Sequence, residues 1–176
     1  MRFPLRLTAD LTLGLALRAL RLRQNHPLIL NLAVGSAINS PRSPIVWLGG
    51  PEPLELPETP RVVNVLASSG RHVFVPINGP LLRRRIHEFQ PSQRLHLTIR
   101  FQGDEAAHDI CVGRSGAFQE AQESVRTARL SGFLLCAQLI VREPRGAAAV
   151  ETLFQRLRTL NVDGFVISTA SPVDVR

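Results

Sequence analysis

The run Asp104-Glu105-x-x-His108-Asp109 gathers carboxylates and an imidazole within six positions. On one helix Glu105 and His108 share a face, the spacing of half a carboxylate-bridged metal site. A whole site needs a second such pair, and the sequence supplies none. Helix capping and loop hydrogen bonds are the plainer use of these residues. Arg83-Arg84-Arg85 with His87 suits a phosphate or an acidic partner; the same run also reads as a solvated helix face. Gly113-Arg114-Ser115-Gly116 has the makings of an anion cradle at a helix N-terminus, or of a turn with Ser115 as N-cap. Ser68-Ser69-Gly70 lacks the Gly-x-Ser-x-Gly frame of a nucleophile elbow. The most informative stretch is Ile45-Val46-Trp47-Leu48-Gly49-Gly50-Pro51-Glu52-Pro53-Leu54. It reads as a buried strand opening, at its C-terminal end, into a backbone-exposed loop that faces a substrate. Trp47 beside that loop is a ligand-stacking ring or a core anchor.

The elements that must position these residues alternate. Short apolar runs at 27–34, 45–48, 72–77, 94–101, 133–141 and 162–167 predict six strands. Amphipathic stretches at 59–69, 80–89, 116–130 and 147–160 predict helices between them, with Gly70 as a C-cap. Near-continuous apolar strands alternating with helices imply a parallel sheet covered by helices. Right-handed crossovers curl such units toward a barrel. Six strands are too few to close one of eight, so the expected fold is α/β, an incomplete TIM-like (βα)6 barrel. One link is anomalous: the segment from Gly35 to Pro44 is too short and too rich in breakers for a crossover helix. Either the first two strands pair differently, or a βα unit has been cut out.

Composition narrows the chemistry. The 176 residues fit one domain or a piece of a larger one. The net charge is +7, and all 21 basic residues are arginine. Without lysine there is no P-loop lysine and no Schiff base. The arginines are scattered and few aromatics lie between them, which argues against nucleic acid. Cys111 and Cys136 lie 25 residues apart, with no metal-type spacing. They read as small buried hydrophobes, and the expected compartment is a reducing cytoplasm. Residues 1–26 read as an N-terminal amphipathic helical segment before the barrel of 27–176. From Thr8 to Arg23 that segment is rich in Arg and Leu and poor in acid. It caps the core or lies peripherally on an anionic membrane.

In this order the motifs resemble radical S-adenosylmethionine (SAM) proteins, most closely the branch typified by the hopanoid-biosynthesis radical SAM protein. The resemblance runs from about residue 4 to about residue 168. It rests on Gly50-Pro51-Glu52-Pro53-Leu54 with Pro57-Glu58, on Asn78-Gly79-Pro80-Leu81-Leu82, on His108-Asp109 through Phe118, and on Val162 to Ser168. It implies a 4Fe–4S cluster held by a Cys-x3-Cys-x2-Cys loop after the first strand, and SAM chelated by the cluster's fourth iron. It also implies that Gly50, Pro51, Glu52 and Pro53 occupy the loop that holds the SAM amino group. Thr98 falls where the family often has a ligand-proximal Ser, and Gln102 where this branch has Asp. The matching cluster loop is Ala33 to Ser43, with Ser36 and Ser40 but no cysteine. A serine oxygen is a hard, weakly acidic donor where the cluster requires thiolate. The expectation is a protein without cluster, catalytic residues or metal, retaining a weak residual SAM or nucleotide pocket. It would serve as a binding or partner subunit, joined to another protein or to a second copy through the open barrel edge. The alternative is a subunit of a radical SAM enzyme, making or breaking C–C or C–H bonds through a 5′-deoxyadenosyl radical, completed by another chain.

Overall fold

A computed structural model describes residues 5–20, 27–41, 43–50, 52–141 and 147–169. Six strands form one curled, wholly parallel sheet in sequence order: β1 (Ile29–Ala33), β2 (Ile45–Gly49), β3 (His72–Ile77), β4 (Leu95–Phe101), β5 (Leu134–Val141) and β6 (Gly164–Thr169). The helices are α1 (Leu5–Ala19), α2 (Val34–Ala37), α3 (Thr59–Ser68), α4 (Gly79–Arg85), α5 (Glu105–Val112), α6 (Ala117–Leu130) and α7 (Ala147–Arg158). The architecture is the expected α/β partial barrel.

Alternation along the strands sorts the two faces. Val46 and Leu48, Val73, Val75 and Ile77, and Leu95, Leu97, Ile99 and Phe101 point outward. There they meet Val62, Val63 and Leu66 of α3, Leu82 of α4, and Phe118 and Val125 of α6. This is the main core, and each large side chain buried there is worth about 1.5–3 kcal/mol. The intervening residues point inward. Ile45, Phe74 and Cys136 form a second, smaller cluster with Leu7 of α1, flanked by Leu11 and Trp47. Thus α1 lies against the inner face of the sheet.

The anomalous link resolves without any change of pairing. β1 and β2 are parallel neighbours, Ile29 opposite Ile45 and Ala33 opposite Gly49. Only the four-residue α2 stands between them, burying Val34 and Ala37. A single turn carries the chain back because it replaces the usual long covering helix, and β1 is left with alternating half-exposed side chains. A second irregularity lies in β3. Its ladder with β2 runs from His72 to Phe74 and stops two residues before Pro76, which has no N–H to donate. β2 and β3 therefore part at their C-terminal ends, where the Gly-Gly loop begins. No helix among the described residues is long and apolar enough to cross a membrane.

Candidate functional site

The C-terminal rim of β2, β3 and β4 gathers most of the residues that the Gly-Gly-Pro-Glu-Pro stretch singled out. Gly50 takes φ +118°, a conformation that needs glycine. Pro51 lies outside the described residues. Glu52 is buried in the crevice where β2 and β3 diverge. Its Oε2 accepts the Asn78 N–H at 2.8 Å and its Oε1 the Leu54 N–H at 3.3 Å. Burial pushes the Glu52 carboxyl above its ordinary range, against the pull of those two amides and of Arg100. Pro53 opens a short 3-10 turn, and its carbonyl accepts the Thr59 hydroxyl. Arg100 of β4 donates from Nη2 to the Gly50 carbonyl at 3.1 Å. Thr98, two residues before Arg100 on the same face, is fully buried, and its hydroxyl has no partner among the described residues.

This rim holds itself together. The carbonyl of Gly50 and both oxygens of Glu52, the groups expected to face a ligand amine, already bind Arg100, Asn78 and Leu54. Among the described site residues, Thr98 is the one with a buried side-chain polar atom that has no partner.

A second constellation crosses the inner face, and sequence reasoning missed it. Asp10 of α1 accepts from Arg94 Nη1 at 2.9 Å and from His72 Nε2 at 2.9 Å. His72 Nδ1 lies 3.2 Å from His96 Nε2. His96 stacks on Phe74, with ring centroids 4.4 Å apart. The carboxylate fixes the tautomers in order. His72 donates from Nε2, so its Nδ1 accepts, so His96 donates from Nε2 and carries a lone pair on Nδ1. That Nδ1 is buried without a partner among the described residues. Burial drives both imidazoles toward the neutral form, His96 down to about 3. The hydrogen bond from His72 holds Asp10 below the ordinary carboxylate range. The available signal was two histidines at inward positions of neighbouring strands, and one acid in an acid-poor helix.

The loop after β1, expected from the resemblance to match a cluster-binding segment, makes hydrogen bonds of its own. Ser36 donates to the Ala33 carbonyl and Ser40 to the Ala37 carbonyl. Arg71 then clamps Ser40 through its hydroxyl at 2.9 Å and its carbonyl at 3.2 Å. Cys136 belongs to the inner cluster, where burial pushes its thiol up to about 12. Cys111 sits on α5 and is only half buried. Hydroxyls tied to backbone carbonyls are no substitute for three convergent thiolates, so these residues do not fit an iron–sulfur cluster.

The remaining motifs separate into structural roles. Glu105 and His108 do lie on one helix, α5, but they do not converge. Glu105 pairs with Arg156 at 2.9 Å, while His108 is buried and its Nδ1 accepts the Gln102 N–H at 3.0 Å. Asp104 caps α5 by accepting the Ala107 N–H. The cap of α6 is not Ser115. Gly116 occupies that position at φ +79°, and Asp109 accepts the N–H groups of Gly116 at 2.7 Å and Phe118 at 2.8 Å. The arginine run splits. Arg83 and Arg84 are exposed, whereas Arg85 turns back to Glu88 and to the carbonyls of Leu54 and Leu56. Trp47 stacks on Phe74 at 5.8 Å beside the inner cluster, as a core anchor.

Among solved structures the chain is similar to SuiB of Streptococcus suis, with TM-score 0.56 and 11% identity over 72% of this chain and 29% of that one. It is also similar to an archaeal TYW1, with TM-score 0.51 and 18% identity over 75% of this chain and 44% of that one. The chain thus spans less than half the length of either. No known family's sequence pattern matches it, and no curated protein does. At such identities the likeness establishes fold alone: a helix-covered, parallel partial barrel.

Proposed function

We propose that this chain is a non-catalytic radical SAM-like barrel that acts as a binding or partner subunit. The observation that carries the reading is the loop after β1. Where the fold's chemistry calls for soft sulfur donors, this chain has a one-turn helix and two serines bonded to its own backbone. The self-bonded rim supports the same reading, since Gly50 and Glu52 would have to exchange existing partners to take a ligand amine. Thr98, with its unanswered hydroxyl, is the residue on which residual SAM or nucleotide binding would depend. The motif series from Gly50 to Ser168 favours descent from the hopanoid-biosynthesis branch.

Anaerobic reconstitution with iron and sulfide, followed by metal analysis and a SAM cleavage assay, tests this directly. The expected result is no stoichiometric iron and no 5′-deoxyadenosine. A cubane cluster that cleaves SAM, in this chain alone or with a co-purifying subunit, would replace the reading with that of an enzyme component. Calorimetry with S-adenosylhomocysteine tests the pocket separately. Heat that vanishes in Thr98→Val assigns binding to the rim, and no heat in the parent chain leaves a partner role only.

A further inference from the structure

We infer that α1 is a releasable plug of the barrel interior, latched by Asp10, which leaves its seat while the main core stays folded.

The seat of α1 is thin. Of its 15 residues only Leu7 is buried, whereas α3 buries five of its 10 and α6 six of its 14. Leu7 joins Ile45, Phe74 and Cys136 in a cluster of their own, with Leu11 and Trp47 packed against it, separate from the core on the other side of the sheet. An element with so little buried surface opens at less than the global free energy of unfolding. The rest of the hold is polar. Asp10, the one acid in residues 1–26, accepts from His72 and from Arg94 at 2.9 Å each. The His72 side chain is wholly buried, so without that carboxylate its Nε2–H has no acceptor while the helix is seated. The single acid of the segment is thus a latch.

The face under the plug favours release. Among the described residues, the buried side-chain polar atoms without a partner are His96 Nδ1, Thr98 Oγ1 and Gln138 Oε1. All three belong to inward positions of β4 and β5, alternating with Leu97, Ile99, Ala137 and Leu139 of the main core. In the strand register His96 stands opposite Phe74 and Thr98 opposite Cys136, and both of those partners belong to the Leu7 cluster. An unanswered buried polar atom raises the free energy of the closed form, and water answers it once the helix leaves. One leucine and one latch therefore hold α1 against a face that gains hydration on opening. Anything that binds this face has to displace α1.

Cys136 reports the opening. It belongs to the Leu7 cluster, and burial pushes its thiol up to about 12, so it reacts only when uncovered. In a Cys111→Ser background it is the sole cysteine of the chain. Its labelling by N-ethylmaleimide should be slower than that of a free thiol yet faster than global unfolding. The rate should be nearly flat over low urea, because the opening exposes little surface. Asp10→Ala and Leu7→Ala should each speed labelling about tenfold or more. Asp10→Asn keeps an acceptor oxygen and should fall between Asp10→Ala and the parent. Leu66→Ala weakens the core on the other face. It should lower the urea midpoint by circular dichroism and leave the labelling rate without urea unchanged. Labelling that tracks global unfolding, with Leu66→Ala speeding it as much as Leu7→Ala, would make α1 part of one cooperative core and overturn the inference. So would Asp10→Ala and Leu7→Ala at the parent rate, or a parent chain that reacts like a free thiol, since α1 would then close nothing.

Discussion

Two acids organise their surroundings: Glu52 is buried, and Asp10, partly exposed, is bound by His72 and Arg94. Glu52 bridges the gap that opens where Pro76 cannot continue the β2–β3 ladder. Removing it leaves the amides of Asn78 and Leu54 without their acceptor, the second of them buried. Glu52→Ala should therefore cost about 1–3 kcal/mol in urea unfolding, even though burial disfavours its charge. Asp10 instead organises the imidazoles of His72 and His96. Both histidines have folded-state values depressed below the ordinary 6.5. Between that value and their lowered ones, the unfolded chain binds more protons than the folded chain. Stability is then full above pH 6.5 and falls with acidification, by up to about 1.4 kcal/mol per pH unit for each histidine. The depressed Asp10 adds a further loss below its ordinary 3.8. His96→Phe preserves the stack on Phe74 and should flatten the slope of stability against pH between 6.5 and 4. A slope identical to the parent's would show that the inner imidazoles do not titrate with unfolding.

At the scale of elements, two contacts set how tightly the helices seat. A methyl added at Gly79 would lie 2.8 Å from Ser124 Oγ, 3.1 Å from Ala121 Cα and 3.2 Å from the Glu120 carbonyl. Backbone atoms of α6 cannot yield as a flexible side chain would. Gly79→Ala should cost about 1–3 kcal/mol by pushing α4 from α6, read as a lower melting temperature. On the other face, Leu7 is the one residue of α1 that is fully buried. Leu7→Ala should cost about 2 kcal/mol and speed hydrogen exchange across α1 before the rest of the chain. The strands were legible from residues such as Val73, Val75, Leu97 and Ile99, because double-sided burial writes itself as a continuous apolar run. The seating of α1 was not. Its leucines surround the whole helix, and its polar partners, His72 and Arg94, lie 62 and 84 residues away in sequence. The cap of α6 was misread for a similar reason. Ser115 sits at the expected spacing, but the carboxylate that reaches the helix amides comes from Asp109, across the left-handed turn at Gly113 and Gly116. At the rim, the Gly-Gly-Pro-Glu-Pro pattern located the loop correctly. It gave no hint that Arg100 and Asn78 would occupy its hydrogen-bonding groups.

At the scale of the molecule, the described residues form one curled six-stranded wall, and its two margins are chemically unlike its middle. β3, β4 and β5 are paired on both sides, and β3 and β4 are buried almost throughout. β1 and β6 each have one hydrogen-bonding edge unpaired within the sheet, with Ile29 58% exposed on β1 and Ile167 62% exposed on β6. Open edges of this kind invite strand addition unless they are short or covered. The five residues of β1, backed by the single turn of α2, make it the weaker of the two. Hydrogen exchange of the isolated chain should therefore order the strands. Amides of β1 and β6 should exchange first, and those of β3 and β4 only on global unfolding. Repeating the measurement over a range of concentrations distinguishes a bare edge from a joined one. Protection of β1 or β6 that equals β4 and grows with concentration would mean that copies of the chain complete one another's sheet. Strong protection independent of concentration would contradict the open-edged half-barrel itself.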